Sequence, residues 1–116
     1  MEAQGGYRIS PSYERVLAEL GQIYEAKNHD YGDSFAKIYA KYGLQSTVIR
    51  LWDKLLRLET LSERTAKVED ETIEDTLMDI ANYAVMTVME MRENRASDFE
   101  QRARAGEGFN VRVRGN

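Results

Sequence analysis

The sequence predicts an all-α fold, a small bundle of about four helices, and three observations carry that expectation. Apolar residues recur at three- and four-residue spacing along several stretches. The single proline, Pro11, stands where it opens a helix instead of breaking one. β-Branched runs are few. The size suits this architecture, since 116 residues and 13.4 kDa make one ordinary domain. Such a chain can bury a core without disulfides or a structural metal.

The elements follow in order. Met1–Ile9 is a loose lead-in, and Ser10-Pro11 reads as an N-cap followed by proline at the first helical position. The first helix runs to about Lys27, and Val16, Leu17, Leu20, Ile23 and Tyr24 give it one face to bury. The turn formers Asn28-His29-Asp30-Tyr31-Gly32-Asp33 should break it. A short helix follows from Ser34, capped by Asp33, to about Tyr42, where Gly43 ends it. Gln45 or Ser46 opens a third helix to about Leu61, and the polar stretch Ser62–Glu69 reads as a loop. The fourth helix runs from Asp70 or Glu71 to Arg92 or Asn94. Residues 1–96 thus form a single helical domain, joined by short loops. Residues 97–116, with three glycines and four arginines, read as an extended or flexible tail. Within it, Phe109-Asn110-Val111-Arg112-Val113 has the makings of a strand.

Composition removes several function classes. There is no cysteine, hence no disulfide framework, thiolate zinc site, iron–sulfur cluster or cysteine nucleophile. One histidine excludes multi-histidine metal enzymes and the Glu-x-x-His pairs of di-iron bundles. A net charge of −4 argues against coating nucleic acid, so no direct nucleic-acid binding is expected. No leader-like or membrane-spanning apolar segment is present, which points to a soluble protein of the cytoplasm. Neither a P-loop nor a G-x-S-x-G elbow occurs.

What survives is a set of carboxylates and cations on the last two helices. On the fourth, Ile73, Leu77, Ile80, Ala84, Val88 and Met91 form a broad apolar face, widened by Met78, Val85 and Met89. Through it runs a narrow stripe of Glu71, Asp75, Asp79 and Asn82. Helix-dipole preference accounts for acids in the first turn but not for Asp79, more than two turns in. Carboxylates one turn apart make a half-cage for Mg²⁺, with Mn²⁺ as a substitute. They equally describe a solvated face, and spacing leaves both readings open. On the third helix, Arg50, Asp53, Lys54 and Arg57 lie on one side. Asp53 can face the metal, and the three cations suit a polyphosphate. The other reading of that side is a surface with i,i+4 pairs such as Asp53–Arg57. His29 and Tyr31 are loop candidates for contacting a base or sugar. Carboxylates with cations on helices fit metal-assisted attack of water on a phosphoanhydride. Apolar residues around so much of the third and fourth helices also exceed what one small bundle encloses, so a homo-oligomer is expected.

Three segments in order carry a family resemblance: Lys27-Asn28-His29-Asp30-Tyr31-Gly32-Asp33-Ser34-Phe35, Arg50-Leu51-Trp52-Asp53-Lys54-Leu55-Leu56-Arg57-Leu58, and the run from Asp70 to Ala84. Together they resemble the nucleotide modification associated domain family of phages and prophages. That family is similar to the MazG-like all-α nucleoside triphosphate pyrophosphohydrolases. The resemblance spans about Val16 to Met91 and implies a helical bundle assembled as a dimer or tetramer in the bacterial host cytoplasm. It implies a Mg²⁺-dependent (deoxy)nucleoside triphosphate pyrophosphohydrolase, an acid anhydride hydrolase that releases pyrophosphate and the monophosphate. Asp75, Asp79 and Asp53 are then the catalytic carboxylates, and Asp53, Glu71, Asp75 and Asp79 the metal ligands. Lys54, Arg50 and Arg57 hold phosphates, while Asn82, His29 and Tyr31 contact base or sugar. MazG-like enzymes carry an E-E-x-x-E … E-x-x-D pattern. Here Asp75 and Asp79 are four apart, and Asp53 stands in place of a glutamate cluster. A second reading follows from that departure: a non-catalytic nucleotide-binding or assembly module of a phage nucleotide-modification system.

Overall fold

The computed structural model describes residues 9–31, 33–63 and 68–106, with side chains at all of these except 30, 31 and 68–71. The described residues are helical, in four elements with no strand: α1 (Pro11–Tyr31), α2 (Ser34–Tyr42), α3 (Leu44–Ser62) and α4 (Val68–Arg104). No described helix is long and apolar enough to cross a membrane.

The helix starts follow local chemistry. The Ser10 hydroxyl accepts from the Tyr13 N–H at 3.2 Å, the side-chain cap that the Ser-Pro pair announces. Only Gly43 separates α2 from α3. Its φ of 71° lets its N–H reach the Tyr39 carbonyl at 2.7 Å, while its own carbonyl accepts from the Ser46 hydroxyl at 2.8 Å. One residue therefore ends one helix and opens the next, at a φ that a side chain resists. Asp33 occupies the N-cap position of α2 but makes no side-chain cap bond.

Two helix ends lie further on than the sequence suggests. α1 continues through Asn28-His29-Asp30 to Tyr31. These turn formers each cost a helix only tenths of a kcal/mol, which packing of its last turns can override. α4 runs ten residues past Asn94, so residues 97–104 are helical and not an extended tail. That stretch is rich in Ala, Arg, Glu and Gln, all good helix formers. The helix then stops at Gly106, where φ is 80° and the N–H bonds the Ala103 carbonyl at 3.1 Å. The strand option at 109–113 lies outside the described residues.

α3 and α4 form the central pair, with α1 and α2 packed on it. The seam is polar. Ser46, Thr47, Thr76, Asn82 and Thr87 are buried, whereas only Leu20 and Leu61 are buried among the hydrophobic residues described. Thr47 and Thr87 meet across α3 and α4 at 2.8 Å. Since the Thr87 hydroxyl donates to the Tyr83 carbonyl at 2.7 Å, Thr47 is the donor of the pair. The apolar residues face outward instead: Val16 and Leu17 of α1, Val48, Ile49, Trp52, Leu55 and Leu56 of α3, and Leu77, Val85, Val88, Met89 and Met91 of α4 are exposed. The apolar faces read from the sequence exist, but they are exposed among the described residues. The reason is in the seam, where side chains with hydrogen-bonding groups take the inner positions.

Two predictions follow from this packing. Replacing Gly43 with Ala, with nothing within 4 Å of the added Cβ, costs only the backbone penalty of a φ of 71° with a ψ of −158°, about 1–3 kcal/mol in a thermal melt. Thr87→Val strands the Thr47 hydroxyl and costs about 1–3 kcal/mol, while Thr47→Val with Thr87→Val costs clearly less than the sum of the two single changes. A strictly additive double mutant would show that the two hydroxyls do not act as a pair.

Candidate functional site

The four helices enclose one cleft. Tyr24, Lys27 and Asn28 come from α1, Ser34 and Phe35 from α2, Arg50 from α3, and Asp79, Asn82, Tyr83 and Met86 from α4. The cavity measures about 210 Å³.

Asp79 is its electrostatic centre. One carboxylate oxygen accepts from the Lys27 ammonium at 3.0 Å, and the other from the Lys54 ammonium at 3.0 Å. A single acid on α4 thus ties down α1 and α3 at once. Partial burial pushes the Asp79 carboxyl pKa up, but the hydrogen bonds and charges of Lys27 and Lys54 outweigh it and hold the group below its usual range. Lys54 is largely enclosed, at 22% side-chain exposure, whereas Lys27 is 57% exposed and can swing into solvent.

Beside this triad lies a layer of flat groups. The Phe35 and Tyr83 rings stack with centroids 6.1 Å apart and planes 17° from parallel. The Arg50 guanidinium carbon sits 5.2 Å from the Phe35 centroid and 5.4 Å from that of Tyr83, within cation–π range of both. Asn82 is buried next to them, its amide nitrogen donating to the Leu20 carbonyl at a long 3.4 Å.

The residues expected from the sequence divide into two groups. Asp79, Asn82 and Arg50 line the cleft, and Lys54 reaches it only through its ion pair with Asp79. Asp53, Arg57, Asp75 and His29 are exposed and do not line it. The Tyr31 and Glu71 side chains lie outside the described residues. Among the described residues no group of three or more acids or histidines is placed to hold a metal ion. With both Asp79 oxygens also engaged by ammonium groups, the described residues of one chain do not fit a resident divalent cation. Lys27, Phe35 and Tyr83 escaped the sequence reading. Lys27 left a signal: it falls three, four and seven residues after Tyr24, Ile23 and Leu20, a charge on the face α1 buries.

The ion triad generates a pH prediction. A carboxylate with a depressed pKa stabilises the fold fully above its unfolded value, 3.8, and loses that contribution as pH falls through the lower folded value. With Lys27 exposed and screened, the contribution is about 1 kcal/mol at pH 7. Asp79→Asn should therefore lower Tm by about 5 °C at neutral pH. The gap to wild type should close below pH 3.8. A gap that persists into acid would mean that the loss is not electrostatic.

Comparison with known proteins adds one finding. Neither a curated protein nor a solved structure matches the chain. A family model described as "Nucleotide modification associated domain 1" matches residues 27–91, more than half of the chain, from Lys27 of the ion triad through Phe35, Arg50, Lys54 and Asp79 to the residues beyond Tyr83. This chain belongs to that family.

Proposed function

We propose that the cleft binds a (deoxy)nucleoside triphosphate and that the protein hydrolyses it to the monophosphate and pyrophosphate. The observation that carries the reading is the company Asp79 keeps: an ammonium group, a guanidinium, two stacked rings and a buried amide line one cavity with it, and a second ammonium group, that of Lys54, holds its other oxygen. Cations for an anionic tail beside flat surfaces for an aromatic group describe the two halves of a nucleotide. Membership of a family described by nucleotide modification, and the resemblance to MazG-like enzymes of phages and bacteria, support the same conclusion. The setting would be the cytoplasm of a bacterial cell.

Among the described residues no group of three acids or histidines is placed to hold a metal ion, so in this reading the divalent cation enters with the substrate, as the Mg²⁺ or Mn²⁺ salt of the triphosphate. In the reaction, water adds to the α-phosphorus, the bond to the bridging oxygen breaks, and pyrophosphate departs with that oxygen. Lys27 and Lys54 are placed to transfer their hydrogen bonds from Asp79 to phosphate oxygens, and Lys27 is exposed enough to move. Asp79, once released, becomes an acceptor able to orient the water. Asp75, one turn earlier on α4, is exposed and open to join it.

The pairing of Asp79 with two lysines also favours a second reading, a nucleotide-binding module without turnover. Both readings are compatible with a homo-oligomer. Trp52, Leu55 and Leu56 of α3 are exposed apolar side chains, surface of the kind that a subunit contact removes from water.

Incubation with Mg²⁺ and each common NTP and dNTP, with separation of products, decides between these readings. Equal amounts of monophosphate and pyrophosphate are expected, lost on chelation and in Asp79→Asn with the helical spectrum retained. Binding without product selects the module, and neither binding nor product rejects both. Sedimentation should show a dimer or tetramer, and Trp52→Glu should shift it toward monomer. A wild-type monomer at micromolar concentration would remove the assembly from the proposal.

A further inference from the structure

Arg50 is expected from the sequence to hold phosphate, yet its guanidinium lies over the faces of Phe35 and Tyr83. It makes the third plane of a layer whose other two are near-parallel rings. A cation lodged on π faces has its charge partly satisfied there and serves better as a flat stacking surface than as a phosphate anchor. The cavity bears on the same point. At about 210 Å³ it lies below the volume of a pocket enclosing a whole drug-sized ligand, roughly 300 Å³ or more. One end of a nucleotide fits inside, and the other must remain at the mouth, where Lys27 is 57% exposed. Asn82 supplies the remaining observation. It is buried on the cavity wall, its amide bond to the Leu20 carbonyl is long, and its carboxamide oxygen has no hydrogen-bond partner among the described residues. A buried acceptor without a donor is costly, and a donor on a ligand's edge removes that cost.

We infer that the Phe35–Tyr83–Arg50 layer is a nucleobase platform, with Asn82 accepting from the edge of the base and the phosphates running outward to Lys27 and Lys54. The inference rests on the nucleotide reading above and assigns the orientation of the ligand within it. Arg50 then acts on the base and not on the phosphates, and Asn82 sets base preference. Stacking tolerates every base because each has a π face, so selectivity falls to the hydrogen-bonding edge.

Titration calorimetry with two probes tests it: each of the four dNTPs with Mg²⁺, and inorganic tripolyphosphate with Mg²⁺, which has the charges but no base. Phe35→Leu, Tyr83→Leu and Arg50→Lys should each weaken dNTP binding about tenfold, in line with the loss of one stacking partner. The same variants should leave tripolyphosphate binding within about twofold, and Tyr83→Phe should retain dNTP affinity, which guards against a folding defect. Asn82→Ala should narrow the spread of affinities among the four dNTPs. Arg50→Lys weakening tripolyphosphate as much as dNTP would return Arg50 to the phosphates and overturn the assignment. Unchanged dNTP affinity in Phe35→Leu and Tyr83→Leu would overturn it as well, with nucleotide binding still standing. A wild-type protein that binds no dNTP would take down the functional reading and this inference together.

Discussion

Asp79 placed between Lys27 and Lys54 is the contact on which the rest of the cleft depends. The three residues come from α4, α1 and α3, so one carboxylate sets where two helices lie against a third. A surface ion pair contributes little, because water competes for both partners and the side chains lose freedom. Here the acid is partly enclosed and doubly paired, so each lysine offsets part of the cost of burying it. The arrangement stores two ammonium groups at a fixed spacing without net repulsion. An incoming polyphosphate offers each lysine a replacement acceptor of higher charge, and this makes the triad exchangeable. In the proposed reading, a structural clip and an anion site share these residues.

The inverted seam is the second constraint. In an ordinary helical bundle, apolar residues fill the interior and charged ones face water. In this chain Ser46, Thr47, Arg50 and Lys54 of α3 look toward Thr76, Asp79, Asn82, Tyr83 and Thr87 of α4, all buried or half-buried. Trp52, Leu55 and Leu56 point away. Hydroxyl groups on a helix can satisfy themselves on the carbonyl one turn back, as Thr76 does on Thr72 at 2.8 Å and Thr87 on Tyr83 at 2.7 Å. The seam is therefore tolerable without a large apolar core, and its polar side chains stay available at the cleft. What it does not supply is hydrophobic stabilisation, which is the main favourable term in folding. That term has to come from the outer faces, which is why the proposed function includes a homo-oligomer, where a second copy would bring matching surface by symmetry.

Much of this was legible in the sequence. The Ser-Pro cap, the Gly43 hinge and the periodicity of α3 and α4 were readable because each is a local property of the backbone. The stripe through α4 was also readable, and it led to Asp79 and Asn82. Periodicity says which residues share a helix face but not which face meets which. Asp75 shares the stripe with Asp79, yet it lies one turn nearer the start of α4, exposed and off the cleft. Asp53 precedes Lys54 by one position, a rotation of about 100° that leaves it exposed. The aromatic layer was illegible for the same reason, since Phe35, Arg50 and Tyr83 sit on three helices and only tertiary packing brings them together. The end of α4 was hidden in the sequence because the glycines and arginines of residues 97–116 carry the composition of a tail. The helix formers before Gly106 held the backbone regular.

The match to the family covers most of the cleft. It begins at Lys27 and ends at Met91, so it takes in both lysines of the triad, its aspartate, the aromatic layer and Asn82. The first four turns of α1 and the turns of α4 beyond Met91 fall outside it. Of those flanking parts, α1 contributes Tyr24 to the cavity wall and Leu20, whose carbonyl receives the Asn82 amide. The matched segment alone would leave the Asn82 amide nitrogen without that acceptor. A residue able to read a ligand's edge has to be held at one angle, and a buried carboxamide with one end tethered is held better than one with both ends loose. The part of α1 outside the family match therefore acts on the site from behind, by fixing the residue that faces into it.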